Sequence, residues 1–272
     1  MMRVSIITST RADFGLLKNL ILNIRKNKNF SLKVIASGSH FSKKFGYTYK
    51  EIKNNKIKID KKIVCEFNSN NLEGVSKIMS KSILETSKIL KNLKTELLIV
   101  LGDRYEILAS VISAHLSRIP VAHIHGGEVT QGAIDDAFRH SITKMSHIHF
   151  AANQIYKKRI IQLGENPLHV YSVGGLGIDS ISKTNFLTKK ELEKKFNFKF
   201  NKYNFIINFH PETINKNLAK KQINELLLAL SKLNNTNFIF TMPGADLENS
   251  VILKEINFFI QKCAHAYFFK SL

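Results

Sequence analysis

The chain has 272 residues, enough for one or two domains with a buried core, and its 44% hydrophobic and 23% charged residues exclude a disordered chain. Its two cysteines, Cys65 and Cys263, are too few for a disulfide framework or a cysteine zinc cluster and fit a reducing cytoplasm. The N-terminal apolar run is too short for a signal peptide, and no segment approaches the roughly 18 apolar residues of a membrane span, so we expect no membrane partner.

The formal net charge of +20 is typical of proteins that bind nucleic acid or an anionic substrate. Here the lysines are spread singly and in pairs among asparagines, as in KNKNFSLK, without a dense basic block or an aromatic ladder. This pattern is typical of solvated surfaces. We therefore expect no nucleic acid partner, although the basic surface can attract an anionic substrate.

The first 173 residues alternate predicted strands with predicted helices. The clearest strand is ELLIVLGD (96–103), and the first helix, from Phe14 to Ile24, places its large apolar side chains on one face. The alternation predicts an α/β fold, a doubly wound parallel sheet forming a Rossmann-like lobe over residues 1–173. The other strands are RVSIITS (3–9), LKVIAS (32–37), a weaker one near KKIVCEF, then VAHIH, HIHFAA and HVYSVGG, and further helices are expected near 72–93, up to about 116, over 133–145 and through Leu163.

A second series of strands and helices follows. Residues 174–201 are predicted to be a connector, with GGLG followed by a short helix rich in Lys and Glu, and residues 202–272 begin a second Rossmann-like lobe. The strand candidates there lie in YNFIINFHPE, NFIFTMPGAD and AYFFKSL. A lobe of this type usually needs about 100–150 residues. We therefore expect an incomplete lobe that exposes the apolar side chains of AYFF and of an uncovered sheet.

Candidate functional residues follow the predicted strands, at the edge where open α/β sheets bind their ligands. Several carboxylates, histidines and arginines on one rim favour acid–base chemistry. These residues are Arg11, His40, Asp103, Arg104, the segment Gly126, Gly127 and Glu128, the helix residues Asp135, Asp136, Arg139 and His140, and, in the second lobe, His210.

Each candidate also has a structural explanation. Arg11 beside hydroxyl side chains at a helix N-terminus suits a phosphate, but an exposed loop arginine fits the same pattern. Asp103 can cap its helix, and Asp135 can interact with the helix dipole. A lone histidine such as His40 is more often a loop residue than a catalyst.

The segment VAHIHGGEVTQ contains a second pair of alternatives. His123 and His125 lie two residues apart before Glu128, a loose metal pattern that a strand would direct to one face. The segment also reads as the carboxyl end of a buried strand, where Gly126 and Gly127 let the backbone approach a bound sugar. We favour the pocket and expect no metal. No GxGxxG follows the first strand and no Walker A motif is present, so neither NAD nor ATP hydrolysis is expected, and we expect no cofactor.

Seven segments, in this order, resemble the hydrolysing UDP-N-acetylglucosamine 2-epimerase family, in its sialic-acid and legionaminic-acid branch. The resemblance runs along essentially the whole chain, and the ordered set is specific where no single segment would be. The segments are TRADFG, SGSHFSKKFGYT, LGDRYE, HIHGGE, IDDAFRHSITKMSHIHF, RIIQLGE and FHPET.

The resemblance implies a glycosyltransferase-B architecture, two Rossmann-like lobes with the active site between them. It implies conversion of UDP-N-acetylglucosamine and water to N-acetylmannosamine and UDP through a 2-acetamidoglucal-like intermediate, without NAD or an essential protein-bound metal. Full-length relatives are expected to be homo-oligomers. Members of the same branch act on UDP-N,N'-diacetylbacillosamine, and the quoted segments do not separate the two substrates.

By the resemblance, Asp103, Asp135 and His210 match catalytic positions, and Arg11 and His40 match residues of the nucleotide-sugar site. A second group comprises the helpers Glu128 and Arg139 and the substrate-side residues Arg104, Gly126 and Gly127. Other branches carry a catalytic glutamate where this chain has His125. Either Glu128 supplies that carboxylate or His125 takes over an acid–base role.

A second departure concerns the C-terminus. Relatives continue past FKSL to a GNSSSG-like loop and a glutamate that hold UDP, so the resemblance predicts a truncated chain whose activity is very weak or absent. Three alternatives stay open at this point: another glycosyltransferase-B enzyme, a remnant that binds nucleotide sugars without turnover, and a basic nucleic-acid binder.

Overall fold

The computed structural model describes residues 1–65, 72–182, 184–214, 218–244 and 248–270. The chain divides into two compact units, with the boundary between residues 183 and 184. No helix in the described part of the chain is long and apolar enough to cross a membrane.

The first unit is a parallel sheet with helices on both faces. Over the described residues its strand order is β3-β2-β1-β4-β5-β6-β7, which confirms the predicted doubly wound α/β fold. The strands are β1 (Met2–Thr8), β2 (Phe30–Ala36), β3 (Lys61–Lys62), β4 (Leu97–Leu101), β5 (Val121–Ile124), β6 (Ile148–Ala151) and β7 (Val170–Ser172). The helices are α1 (Arg11–Lys26), α2 (Tyr49–Asn54), α3 (Leu72–Asn92), α4 (Tyr105–Leu116), α5 (Asp135–Lys144), α6 (Gln154–Gln162) and α7 (Leu176–Ser182).

Both faces of this sheet are buried, because successive strand residues point to opposite sides. Ile6 packs with Leu17 and Ile21 of α1, whereas the next residue, Ile7, packs with Leu90 of α3 on the other face. All five side chains are completely buried, and each contributes about 1.5–3 kcal/mol by leaving water. This burial explains why the strands read as continuous apolar runs.

Helix α1 begins three residues earlier than the apolar periodicity predicted. Thr10 and Asp13 form a capping box in which each side chain accepts a hydrogen bond from the other residue's backbone N–H. The cap fixes the turn between β1 and α1 and places Arg11 as the first helical residue.

The first unit also extends further than the predicted boundary at residue 173. Helix α7 packs against α1: Leu176 joins the apolar cluster around α1, and Asn19 Nδ2 donates to Ser180 Oγ at 3.3 Å. The predicted connector, 174–201, is therefore divided between the two units.

The second unit has a three-stranded parallel sheet among its described residues, in the order β8-β9-β10. Helices α9 and α10 cover one face, where Ile223, Phe240 and Ile252 are fully buried. Its elements are α8 (Lys189–Phe196), β8 (Tyr203–Ile207), α9 (Ala219–Leu230), β9 (Thr236–Thr241), α10 (Asn249–Lys262) and β10 (Ala266–Phe269).

The expected exposure of AYFF is wrong. The rings of Phe196 and Phe198, which end and follow α8, lie 5.0 and 5.3 Å from those of Phe269 and Tyr267, so aromatic packing half-buries β10. Strand β8 does expose apolar side chains, and its Ile206 is 68% exposed. The difference arises because the residues that follow α8 pack on β10, and sequence periodicity contains no information on that pairing.

Candidate functional site

The predicted rim lies at the switch point of the first sheet. From β1 the chain adds β2 and β3 on one side and then returns to place β4 on the other side of β1. The carboxyl ends of β1, β4 and β5 are neighbours, and crevices at such points bind ligands in open α/β sheets. Three turns meet there: Ser9–Arg11, Gly102–Arg104 and His125–Glu128.

Arg139, on α5, connects the turns after β4 and β5. Its Nη2 donates to Asp103 Oδ2 and, at 3.0 Å, to Thr130 Oγ1. Its Nη1 donates at 3.1 Å to both Asp136 Oδ1 and the backbone carbonyl of Glu128. The Arg139 side chain is only 7% exposed. Its planar guanidinium therefore fixes the positions of these groups.

The environment of Asp103 is unusual for an ion-paired carboxyl. Burial raises the pKa of Asp103 above its ordinary value, Glu128 adds to the rise, and Arg139 and Arg104 oppose it. Burial of this largely enclosed carboxyl raises its pKa more than the two arginines lower it. A carboxyl with a raised pKa holds its proton to a higher pH than an ordinary aspartate does, which favours a role in acid catalysis.

The two aspartates at the start of α5 have different surroundings. Asp136 accepts from the Thr130 backbone N–H at 2.8 Å and from Arg139, and its second oxygen lies 3.5 Å from His140 Nε2. Asp135, the predicted catalytic residue, is the first residue of α5 and is partly buried. Asp136, which the sequence analysis placed among the rim candidates without a role, is therefore a positioning group of the Arg139 network.

His123 is a structural residue. The ring is fully buried, with Nε2 2.8 Å from the Gly102 carbonyl oxygen and Nδ1 3.2 Å from Thr143 Oγ1. Burial lowers the pKa of His123 to about 3, so the ring is neutral, with Nε2–H donating to the carbonyl. Both nitrogens are therefore used to tie β5 to the β4 turn and to α5, and His123 does not act as a metal ligand here.

The two glycines after His125 are required by close packing. A Cβ on Gly126 would lie 3.0 Å from both His123 Nδ1 and Thr143 Oγ1. Gly127 has φ +76°, and a Cβ there would lie 2.4 Å from the Tyr156 carbonyl oxygen. Their contacts are with protein atoms, so the turn shape follows from packing.

His125 and Glu128 form a pair at the end of β5. His125 leaves the strand with φ +64°, and its Nδ1 lies 3.1 Å from Glu128 Oε1. The left-handed backbone breaks the strand alternation that would have placed both histidines on one face. Of the described side chains, no group of three His, Cys, Asp or Glu is arranged to hold a metal ion.

At the end of β1, polar side chains gather around Asp13. Its carboxylate accepts from Thr8 Oγ1 at 2.5 Å and from the Ser9 backbone N–H at 2.8 Å. His40, fully buried, contacts Thr8 Oγ1 through Nε2 at 2.9 Å and Thr48 Oγ1 through Nδ1 at 2.8 Å. Burial lowers the pKa of His40, against the opposing charge of Asp13. The structure thus places His40 beneath the turn that carries Arg11, with both ring nitrogens hydrogen-bonded within the unit.

Arg104 stands between the β1 and β4 turns. Its Nε lies 3.2 Å from Oε2 of Glu106, a carboxylate with no exposed surface. The other Glu106 oxygen faces Gly38, where a Cβ would meet it at 3.1 Å and the Ser9 carbonyl oxygen at 2.7 Å. Glu106 therefore orients Arg104 at the switch point, a role for which the sequence contains no specific signal.

His210 belongs to the second unit, three residues beyond the carboxyl end of β8, and is exposed. In the first unit, contacts join Asp103, Glu128 and His125 through Arg139, and Arg104 is bound by Glu106. Gly126 and Gly127 lie in the turn after β5, and Arg11 and Asp135 are the first residues of α1 and α5.

The chain is similar to known proteins, and these similarities identify its family. The sequence model described as UDP-N-acetylglucosamine 2-epimerase matches residues 22–272. The chain belongs to this family. A curated relative from Campylobacter jejuni, GDP/UDP-N,N'-diacetylbacillosamine 2-epimerase (hydrolyzing), is 42% identical over 97% of this chain and 68% of its own length.

A second curated relative and a solved structure are also similar to this chain. UDP-N-acetylglucosamine 2-epimerase from Neisseria meningitidis is 32% identical over 94% of this chain and 66% of its own length. A solved structure of a UDP-GlcNAc 2-epimerase from Neisseria meningitidis, bound to UDP-GlcNAc, superposes with a TM-score of 0.79 at 20% identity, covering 100% of this chain and 73% of that one. At 20% identity, this likeness shows only the fold. The chain, a member of the 2-epimerase family, has the glycosyltransferase-B-like fold, in which helices flank parallel sheets.

Proposed function

We propose that this family member is a hydrolysing 2-epimerase, which converts a nucleoside diphosphate 2-acetamido sugar and water to the free 2-epimeric sugar and the nucleoside diphosphate. The observation that carries the proposal is the site on the first unit: a carboxyl with a raised pKa, Asp103, joined through Arg139 to the His125–Glu128 pair at the switch point. Epimerisation at C2 requires an acid and a base of this kind.

The chemistry makes separate demands on the site. Loss of the C2 proton together with the C1–O bond forms a 2-acetamidoglucal, and water then adds at C1 while C2 is reprotonated on the opposite face. A proton donor and a proton acceptor must therefore coexist near neutral pH. We assign proton donation to Asp103, with Asp135 and, from the second unit, His210 as further catalytic candidates. We assign Arg11 and Arg104 to contact with the anionic diphosphate.

The substrate is proposed to be the diacetamido sugar nucleotide. The 42% identity to the Campylobacter jejuni enzyme over nearly the whole chain supports UDP-N,N'-diacetylbacillosamine. The 32% identity to the Neisseria meningitidis enzyme supports UDP-N-acetylglucosamine as the second candidate. The two unpaired cysteines support a reducing compartment such as the cytoplasm.

A direct assay tests the reaction and the substrate together. The purified chain is incubated separately with UDP-N,N'-diacetylbacillosamine and UDP-N-acetylglucosamine, and UDP release and the free 2-epimer are measured. We expect both products from the first sugar at a higher kcat/KM, and neither with Asp103→Asn. A requirement for an acceptor other than water would identify a sugar transferase. UDP binding by titration calorimetry without turnover of either sugar would identify a binding protein and overturn the proposal.

A further inference from the structure

The His125–Glu128 pair has a feature that the reaction can use. His125 Nδ1 lies 3.1 Å from Glu128 Oε1, while the other ring nitrogen, Nε2, is buried and has no hydrogen-bond partner among the described residues. The two side chains are only 19% and 27% exposed. One ring nitrogen therefore lies beside a carboxylate, and the other has no hydrogen-bond partner among the described residues.

The partner of Nδ1 determines which nitrogen carries the proton. A carboxylate oxygen 3.1 Å from Nδ1 favours the neutral ring that carries its proton on Nδ1 and keeps its lone pair on Nε2. The opposite tautomer would leave a buried N–H donor at Nε2 without an acceptor, which costs free energy. This geometry, an imidazole oriented by a carboxylate with its far nitrogen unpartnered, is that of a general base.

The backbone holds the pair in place. The His125 N–H donates to the Phe150 carbonyl oxygen at 3.0 Å, and Gly127 fits against Tyr156 where no side chain could. The Glu128 carbonyl oxygen accepts from Arg139 Nη1 at 3.1 Å. Because Arg139 also binds Asp103, the imidazole and the acidic carboxyl are fixed by a common support.

We propose that His125 is the catalytic base that removes the C2 proton in the elimination step, and that Glu128 is a positioning residue that selects its tautomer. The proposal rests on the proposed function. His125 Nε2 accepts the proton, the C2–H electron pair forms the C1=C2 double bond, and the C1–O pair leaves on the nucleoside diphosphate. Asp103 is left to serve as the proton donor in the later hydration.

The first test separates the two half-reactions. His125→Gln is compared with wild type in UDP release from UDP-N,N'-diacetylbacillosamine, and in hydration of the corresponding glycal supplied directly. We expect UDP release to fall about 100- to 10,000-fold, the contribution typical of a general base. Glycal hydration is expected to change by only a few fold, because that step does not remove the C2 proton. His115→Gln, on the exposed end of α4, is the matched control and should match wild type in both assays.

The second test uses Glu128→Gln and a spectroscopic signature that does not depend on turnover. In protein labelled with ¹⁵N-histidine, the His125 signals, identified by their loss in His125→Gln, should report the Nδ1–H tautomer in wild type. The amide in Glu128→Gln can turn its NH₂ toward Nδ1 and should shift the ring toward the Nε2–H form. Glu85→Gln, partly exposed on α3, should leave the spectrum as in wild type.

The outcomes distinguish the two proposals. An Nε2–H tautomer for His125 in wild type, or equal losses of elimination and glycal hydration in His125→Gln, would overturn the base assignment and leave the epimerase proposal standing. Absence of UDP release from wild type with either sugar would overturn the proposed function and the base assignment with it. The expected tautomer together with a loss confined to elimination supports both.

Discussion

Arg139 on α5 donates to Asp103 at the end of β4, yet the pKa of that carboxyl is raised and not lowered. The arginine therefore positions the carboxyl more than it stabilises its charge. Its second nitrogen holds Asp136 and the Glu128 backbone in the same plane, so one guanidinium sets the geometry of two neighbouring turns.

Replacing this arginine should damage both stability and activity. In Arg139→Met the carboxylates of Asp103 and Asp136 lose their counter-ion in a largely buried setting, which should cost about 3–5 kcal/mol in the free energy of unfolding. The pKa of Asp103 should rise further, because its main opposing charge is gone. Urea unfolding and the pH dependence of UDP release measure the two effects. Arg25→Met, partly exposed at the end of α1, is the control, and equal losses in the two variants would contradict the assigned role.

The turn at Gly127 should not accept a side chain. Gly127→Ala combines a left-handed φ of +76° with a Cβ 2.4 Å from the Tyr156 carbonyl oxygen, and should lower the free energy of unfolding by about 2–5 kcal/mol. Gly46 has φ +83° and open space around the added Cβ, so Gly46→Ala should cost only the backbone strain, about 1–2 kcal/mol. Chemical denaturation compares the two. If the two variants lose the same free energy, the contact with Tyr156 has no energetic weight.

The carboxylate of Asp13 should be necessary for the turn between β1 and α1. It accepts from Thr8, from the backbone and hydroxyl of Ser9 and from the Thr10 backbone, and is largely buried. Asp13→Asn keeps one acceptor oxygen and turns an NH₂ toward these donors, which should cost about 1.5–3 kcal/mol. Thermal unfolding measures the loss, and Asp179→Asn, exposed on α7, should melt as wild type. An unchanged melting temperature in Asp13→Asn would show that the remaining acceptor suffices.

The sequence predicted the sheet well because its signals are local. Continuous apolar runs such as 97–101 identify doubly buried strands, and the residues that follow them must lie at one edge in a parallel sheet. For this reason Asp103 and Glu128 were correctly grouped at the rim. The alternation of strands and helices along the sequence predicted the rest of the doubly wound fold.

The details that failed depend on contacts distant in sequence. The sequence near residue 123 does not indicate that Thr143 and the Gly102 carbonyl contact the two ring nitrogens of His123. Because of these contacts, His123 is not available as one of the two histidine ligands that the His-x-His pattern suggested. Similarly, the packing of α7 on α1 joins residues far apart in the chain. Asp136 is the exception, since its spacing of three from Arg139 on a helix is a local signal for an ion pair.

His123 should make the stability of the fold depend on pH. Its folded-state pKa of about 3 lies below the ordinary value of 6.5, so its stabilising contribution is complete above pH 6.5 and is lost as the pH falls toward 3. At 1.36 kcal/mol per pH unit for one proton, His123 alone should account for about 2 kcal/mol of lost stability between pH 6.5 and pH 5. His40 and His149, whose pKa values are also lowered by burial, act in the same direction. His123→Gln should be less stable at pH 7.5 and show a shallower decline with acidity, whereas His115→Gln, exposed on α4, should retain the wild-type slope in urea unfolding. Parallel curves for His123→Gln and wild type would mean that His123 binds a proton without disrupting the β5 anchor.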